Sequence, residues 1–238
     1  SSENNLLLVE DAAQALGSSY RGKPAGSFGD LAAFSFHETK NVISGEGGAL
    51  SINNKSLVER AEIIRQKGTN RTEFARGNTD KYTWVDIGSS FLPGELTAAF
   101  LYGQLQNHEV IKAERTSIFE KYDEKLLQLK KLEKISSISK PKHQQGNAHL
   151  YFILLKTHED RNRLIEHMRL SNIYCPFHYV PLHSSPAGQI YGRSIGSMDI
   201  TNDYASRIVR LPIHCDLLQD DLVDYVVGKI YEFFKVQF

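Results

Sequence analysis

Hydrophobic and polar positions along this chain fall into short apolar runs closed by polar turns, then longer stretches of helical spacing, then a second group of runs. Leu6-Leu7-Leu8-Val9 is wholly apolar, predicts a buried strand, and ends abruptly in Glu10-Asp11-Ala12-Ala13-Gln14-Ala15. Leu31 to Phe36 predicts a second strand, with Phe34 and Phe36 facing one way and Ser35 and His37 the other. The turn-rich stretch Tyr20 to Asp30 connects the two. A polar turn carrying Lys40 and the glycine-rich Gly45-Glu46-Gly47-Gly48 then feed a third strand, Ala49 to Ile52.

Leu57, Val58, Ala61 and Ile64 recur at helical spacing, predicting a helix from Lys55 to Lys67 that Gly68 stops. Thr69 to Pro93 has little period, and stretches this long usually bind something or cross to a partner. Gly94 to about Leu129 reads as one amphipathic helix or a pair, with Leu96, Ala99, Phe100, Gly103, Leu105, Val110 and Ile111 as its buried positions and a charged second half that leaves the first domain. Lys134 to Gly146 is polar and basic, a phosphate-binding patch or, as its composition favours, a solvated loop. Beyond it, strands are expected at His149–Leu155, Ile173–Phe177 and Arg207–Ile213, the last placed at an edge or end by Pro212. Helices are expected at Glu159–Leu170 and Asp216–Phe234, the latter with Leu222, Val223, Val226, Ile230 and Phe233 inward. The resulting division is residues 1–130, a connector at 131–146, and a smaller α/β domain at 147–238.

Composition narrows the function without naming it. The chain has 238 residues, 41% of them hydrophobic, and 28 basic residues balance 28 acidic ones. That is ordinary for one or two globular domains. Such a balance gives no electrostatic reason to expect nucleic acid or an anionic membrane as partner. No apolar run approaches the roughly 20 residues that span a bilayer. Cys175 and Cys215 stand far apart, in no metal-ligand spacing, and read as free structural thiols of a reducing, cytoplasmic compartment; no metal site is expected.

Two residues carry candidate chemistry. Lys40 lies just past a strand end, a usual place for ligand chemistry in an open sheet. A partly desolvated lysine there can lose its proton and attack an aldehyde as an amine, although one lysine taken alone is more often a solvated loop residue. Upstream, an acid at the end of a buried strand needs a positive partner or a capping role. Glu10 or Asp11 could cap a short helix from Ala12 to Leu16. Alternatively, Asp11 could meet a protonated ring nitrogen, as in pyridoxal phosphate. Glu10 is read as the cap, and Asp11, taken together with Lys40, as the cofactor's partner.

Val9-Glu10-Asp11-Ala12-Ala13-Gln14-Ala15, Gly29-Asp30, Phe34-Ser35-Phe36-His37-Glu38-Thr39-Lys40 and Gly45-Glu46-Gly47-Gly48 resemble the pyridoxal-phosphate-dependent sugar aminotransferases of the DegT/DnrJ/EryC1/StrS family. Within it, His37-Glu38-Thr39-Lys40-Asn41, Lys67-Gly68-Thr69-Asn70-Arg71, Asp80-Lys81-Tyr82-Thr83-Trp84 and Phe177-His178-Tyr179-Val180-Pro181-Leu182-His183 are similar to the dTDP-4-amino-4,6-dideoxygalactose transaminase branch. The resemblance implies an α/β fold of the aspartate aminotransferase-like type (fold type I), here the C-terminal part of the large-domain sheet plus a small C-terminal domain. It implies that the chain lacks the family's N-terminal portion, including a turn that holds the cofactor phosphate and an aromatic stacked on its ring.

By the same resemblance Lys40 carries the cofactor and shuttles protons, Asp11 holds the ring nitrogen, Gln14 contacts the phenolic oxygen and Ser35 donates to the phosphate. Ser90 stands where relatives have an asparagine that reaches the phosphate across a homodimer interface. His178, Tyr179 and His183 are candidates for the sugar or diphosphate, or equally packing residues. The implied partners are a nucleotide-linked 4-keto-6-deoxyhexose, an amino donor (glutamate by family habit) and a second copy sharing the active sites. Relatives that dehydrate sugars have histidine at the lysine position, so Lys40 points to transamination, for cell-surface glycan synthesis. The alternatives are a transaminase acting at C3 or on a GDP-linked sugar, and a cofactor-free, non-catalytic fragment.

Overall fold

The computed structural model describes residues 2–137 and 141–238; residues 138–140 of the expected connector lie outside the described residues. The chain packs as two compact units. Ser1–Lys112 and His143–Asn147 form the first, Ala113–Lys142 and Ala148–Phe238 the second.

The first unit is built on a three-stranded sheet in the order β1 (Val9–Asp11), β4 (Leu31–Ser35), β5 (Gly48–Ile52). Between β1 and β4 lies a small hairpin, β2 (Ser19–Tyr20) and β3 (Lys23–Pro24). β4 runs parallel to β1, with Asp11 opposite Ala33, and antiparallel to β5, with Ser35 opposite Gly48. The apolar run Leu6–Val9 is not the buried strand expected. Only Val9 joins the ladder, and the four residues are 44% to 64% exposed. Their side chains find no second layer among the described residues, whereas Ala12, Ala32, Phe36 and Val42 are buried.

No helix follows Asp11. The stretch expected as Ala12–Leu16 closes instead as two tight turns, Ala15 donating to the Ala12 carbonyl and Ser18 to the Ala15 carbonyl, both at 2.9 Å. After β5, α1 (Val58–Arg65) ends two residues before the expected Lys67, and Gly68 closes the turn beyond it. Gly68 donates to the Ile63 carbonyl at 2.9 Å and takes φ +76°, which suits glycine at a helix end. The 69–93 stretch contains a short helix, α2 (Arg71–Ala75), and isolated bridges from Thr69 to Trp84 and from Gln66 to Ser90.

The long helical stretch is broken into α3 (Glu95–Gln106), α4 (His108–Lys125) and α5 (Leu127–Lys131). Its burial reverses the expectation. Leu96 is 90% exposed, and Phe100, Leu105 and Val110 are also exposed. The charged second half instead carries the buried stripe Arg115, Ile118, Phe119 and Tyr122, spaced i, i+3, i+4, i+7. For that reason the units divide at Lys112, within α4, earlier than the expected change at residue 131. Periodicity announces that a face will be covered; it does not say by what.

The second unit holds the larger core. β6 (Ser136–Ser137), β8 (Tyr151–Leu154) and β9 (Ile208–Leu211) form an antiparallel sheet in that order, and Pro212 follows its last strand as expected. The helices of this unit include α6 (His158–Leu170), α7 (Pro186–Tyr191), α8 (Asp199–Arg207) and α9 (Leu222–Phe234). Thr157 caps α6: its Oγ1 accepts from the Asp160 amide at 3.0 Å. α9 buries Val223, Val226, Val227, Ile230 and Tyr231, while Leu222, expected inward, sits at the surface. Ile173–Phe177 is extended but forms no ladder; the Arg210 amide donates to the Pro176 carbonyl at 2.9 Å. Both cysteines are free, and burial pushes the Cys175 thiol up to about 12.

One buried cation fastens segments of the second unit. The Arg115 guanidinium donates to the carbonyls of Ala148 (3.1 Å), His149 (2.7 Å) and Ile213 (2.6 Å). Burial lowers its pKa, and the three carbonyls satisfy its donors in place of water.

Candidate active site

In the first unit the parallel pairing of β1 with β4 sends both carboxyl ends to one edge of the sheet. Asp11 ends β1 opposite Ala33, and Ser35 ends β4 two residues further on, roughly 7 Å along the strand. Asp11 is exposed; its Oδ1 accepts from the Ala13 amide at 3.1 Å, which bends the chain away and leaves Oδ2 open. The half-buried Ser35 Oγ accepts from the His37 amide at 3.3 Å, so its hydroxyl proton remains available to a ligand.

Beyond Ser35 the chain makes a compact loop. Phe36 donates to the Gly47 carbonyl (2.9 Å), Glu38 to Gly45 (2.9 Å) and Ser44 to Phe36 (2.6 Å). Lys40 sits at its bend, half-buried, its amide donating to the His37 carbonyl at 2.9 Å. The His37 imidazole braces this turn: Nδ1 meets Thr39 Oγ1 at 2.9 Å and accepts from the Thr39 amide at 3.2 Å. Asp11, Ser35 and the Lys40 turn therefore converge on one sheet edge. An open carboxylate, a free hydroxyl and a lysine amine are the donor set that a protonated pyridine bearing an aldehyde and a phosphate would require. Gln14 lies in the turn after Asp11, exposed.

Glu10 has a different role from the helix cap expected of it. Its Oε1 accepts from the amides of Phe28 (2.5 Å) and Gly29 (2.7 Å), and its Oε2 from Gly26 (2.9 Å). The carboxylate thus clamps the 26–29 turn against β1, behind the residue that offers Asp11. A second long-range contact comes from Asn147, which is buried and donates to the Gln14 carbonyl. Neither role has a local sequence signal, because the partners lie far along the chain.

Ser90 is exposed and bridged to Gln66 beside the end of α1. His178, Tyr179 and His183 lie in the second unit. His178 and Tyr179 meet edge to face at 5.0 Å, and His183 Nε2 lies 2.9 Å from Asn202 Oδ1. Burial, then the charge of Arg210, holds the His178 imidazole below its ordinary pKa, and its Nδ1 is buried without a hydrogen-bond partner. Tyr179 also borders a cavity of about 460 Å³ lined by Arg161, Phe177, Val180, Asn202 and Ser206 among others. Arg161 lies over Phe177 (5.6 Å) and Arg210 over Tyr179 (5.9 Å), and the buried Nε of each lacks a partner. Sequence reading passed over both arginines, which sit in amphipathic stretches without a motif. Among the described residues no group of three His, Cys, Asp or Glu could hold a metal, and no helix is long and apolar enough to cross a membrane.

Comparison with known proteins bears on these expectations. The model of the DegT/DnrJ/EryC1/StrS aminotransferase family matches residues 1–231. The expected lack of the family's N-terminal portion is corrected by this match, which begins at residue 1. Protein MJ1066 of Methanocaldococcus jannaschii is 30% identical over 229 residues, covering 93% of this chain and 58% of the relative. GDP-perosamine synthase of Escherichia coli O157:H7 is 28% identical over 97% of the chain and 59% of its own length. The crystal structure of S. venezuelae DesV in complex with a ketimine intermediate superposes with a TM-score of 0.85 at 28% identity, over 100% of this chain and 60% of DesV. The chain thus spans about three fifths of the proteins it matches. Its fold is the expected α/β fold type I of pyridoxal-phosphate-dependent transferases. With the family model covering nearly its whole length, this chain belongs to the DegT/DnrJ/EryC1/StrS aminotransferase family.

Proposed function

We propose that this chain forms part of a pyridoxal-phosphate-dependent aminotransferase that aminates a nucleotide-linked 4-keto-6-deoxyhexose, with an amino acid, read as glutamate, as donor. The observation that carries this reading is the convergence of Asp11, Ser35 and the Lys40 turn on one carboxyl edge of the β1–β4 pair. DesV, whose structure is described with a ketimine intermediate, supports the choice of cofactor. When bound, the cofactor supplies an aldehyde carbon and an electron-accepting ring.

The chain's own residues do the rest. Asp11 keeps the proton on the ring nitrogen, Ser35 and Gln14 orient the ring through its phosphate and phenolic oxygens, and Lys40 Nζ moves the proton at the donor's Cα. Lys40 sits half-buried at the bend of its loop, past the strand end that carries Ser35. Ser90, on an exposed segment, is read as reaching the phosphate in a second copy of the chain. His178, Tyr179 and His183 are assigned to the sugar or its diphosphate, with Arg161 and Arg210, whose Nε atoms lack hydrogen-bond partners, as suitable cations for an anion. The sugar is read as a dTDP-4-keto-6-deoxyglucose type. The E. coli relative carries GDP in its name, so the nucleotide is to be found with a panel. The reaction is placed in the cytoplasm, where nucleotide sugars are made.

The test is direct. Purified protein incubated with pyridoxal phosphate should turn yellow, and borohydride should fix the cofactor on Lys40. Mass analysis after incubation with dTDP-, UDP- and GDP-linked keto sugars should then show one of them aminated. A Lys40→Ala protein that still transaminates would overturn the assignment, and a chain that takes up no cofactor would stand as a non-catalytic fragment.

A further inference from the structure

We propose that Asn147 is a positioning residue of this site, a strut that sets the turn carrying Gln14 against the turn carrying Lys40. The inference rests on the functional reading above, in which both turns address one cofactor.

The chain returns to the first unit at His143–Asn147. The Arg21 amide donates to the His143 carbonyl at 2.7 Å, and β7 (Gln144–Gln145) pairs antiparallel with β2. Asn147 ends this strap, 6% exposed. Its single side-chain nitrogen donates to the carbonyls of Gln14 (2.9 Å) and Leu16 (2.8 Å), in the turns that follow Asp11. Its own carbonyl accepts from Asn41 Nδ2 at 2.7 Å, and Asn41 is the neighbour of Lys40. One residue therefore joins the two turns that carry the candidate chemistry, from more than 100 positions away in the chain.

The chemistry of the side chain is specific. An amide nitrogen has two N–H groups, and here both go to main-chain carbonyls. Aspartate would set oxygens against those two acceptors, and leucine would leave them without a donor in a buried place. Neither substitution touches Asp11, Ser35 or Lys40. The other end of the strut can be addressed by a second substitution, because Asn41 Nδ2 donates to the main-chain carbonyl of Asn147, which Asn147→Asp leaves in place.

The experiment compares wild type, Asn147→Asp, Asn41→Ala and the double variant. Each cofactor-free protein is first followed by circular dichroism and thermal unfolding, then titrated with pyridoxal phosphate over a range of pH. Displacing the reacting groups by about an ångström weakens what depends on them on the order of tenfold to a hundredfold. Losses of that size in cofactor affinity are expected in each single variant, with a shifted pH dependence of the bound-cofactor absorbance. That pH dependence is the readout a purely structural residue would leave alone. The double variant should lose less than the product of the two single losses, because both cut one connection. Should Asn147→Asp fail to fold, Asn41→Ala carries the test. Folded variants that match wild type in affinity and pH dependence would overturn the strut while leaving the function intact. A wild-type protein that takes up no cofactor would overturn the functional reading, and the strut with it.

Discussion

Replacing Glu10 by glutamine tests how the turn behind the site is held. Both carboxylate oxygens are engaged, Oε1 by two amides and Oε2 by one. Glutamine keeps one acceptor and turns the other into an NH₂ group that faces an amide donor. With its oxygen in the Oε1 position, Phe28 and Gly29 keep a neutral acceptor and Gly26 loses its own. A hydrogen bond to a charged group contributes about 1.5–3 kcal/mol and a neutral one about 1 kcal/mol. One bond lost and two weakened come to about 2.5–7 kcal/mol, and solvent access to the exposed Phe28 bond puts the expected loss toward the lower end, about 3 kcal/mol.

The pH dependence gives the sharper check. Burial works to raise the Glu10 carboxyl, but the amides of Gly29, Gly26 and Phe28 outweigh it and hold the group below its ordinary 4.5. A carboxyl lowered in the folded state stabilises above its unfolded pKa, and that contribution is lost as pH falls through the folded value. The wild-type advantage over Glu10→Gln should therefore be full at pH 7 and fade in acid, where protonated Glu10 itself becomes a donor. Denaturant unfolding at several pH values measures the difference, and hydrogen exchange at the Gly26, Phe28 and Gly29 amides localises it. Equal stability at pH 7, or a deficit undiminished in acid, would refute the reasoning.

Other perturbations follow from the same structure. Gly68→Ala should destabilise the first unit by roughly 2 kcal/mol or more, since its new Cβ would lie 1.8 Å from the Asp86 carbonyl oxygen at a φ of +76°. Limited proteolysis should then cut the 69–93 segment faster, and an unchanged rate counts against the clash. Leu164→Ala removes a fully buried side chain from the second core and should cost about 2–5 kcal/mol in denaturant unfolding. The thiols should both be slow toward alkylating reagents at pH 8, because burial pushes Cys175 up to about 12 and Cys215 up to about 11. Half-exposed Cys215 should label first and buried Cys175 only on unfolding; the reverse order would contradict the packing.

What sequence reading recovered was local. The Lys40 turn, the strand before it and the stop at Gly68 each follow from a few adjacent residues whose alternation or glycine content permits one course. The α9 stripe was legible in part: Val223, Val226 and Ile230 repeat at helical spacing and are buried as expected, while Val227 and Tyr231 join them and Leu222 does not. Long-range capping was not. Glu10, Arg115 and Asn147 each satisfy main-chain groups between 16 and 133 positions away, and nothing near them in the chain signals it. The candidate site shows the same split: Asp11 and Lys40 are candidates that their neighbours in the sequence single out, whereas the long-range bonds around their turns appeared only with the fold. The exposed apolar residues of α3 mark a third limit, since a pattern that predicts cover is silent about which surface provides it.

The Arg115 clasp bears on how the second unit should respond to its medium. Its hydrogen bonds run to peptide oxygens and not to acids, so among the described residues no carboxylate bonded to it is there for low pH to silence. Dissolved ions likewise have no bonded carboxylate whose attraction they could dilute. Strong brine should therefore spare this fastening while loosening the ion pairs on the same unit's surface, such as Arg169 with Glu166.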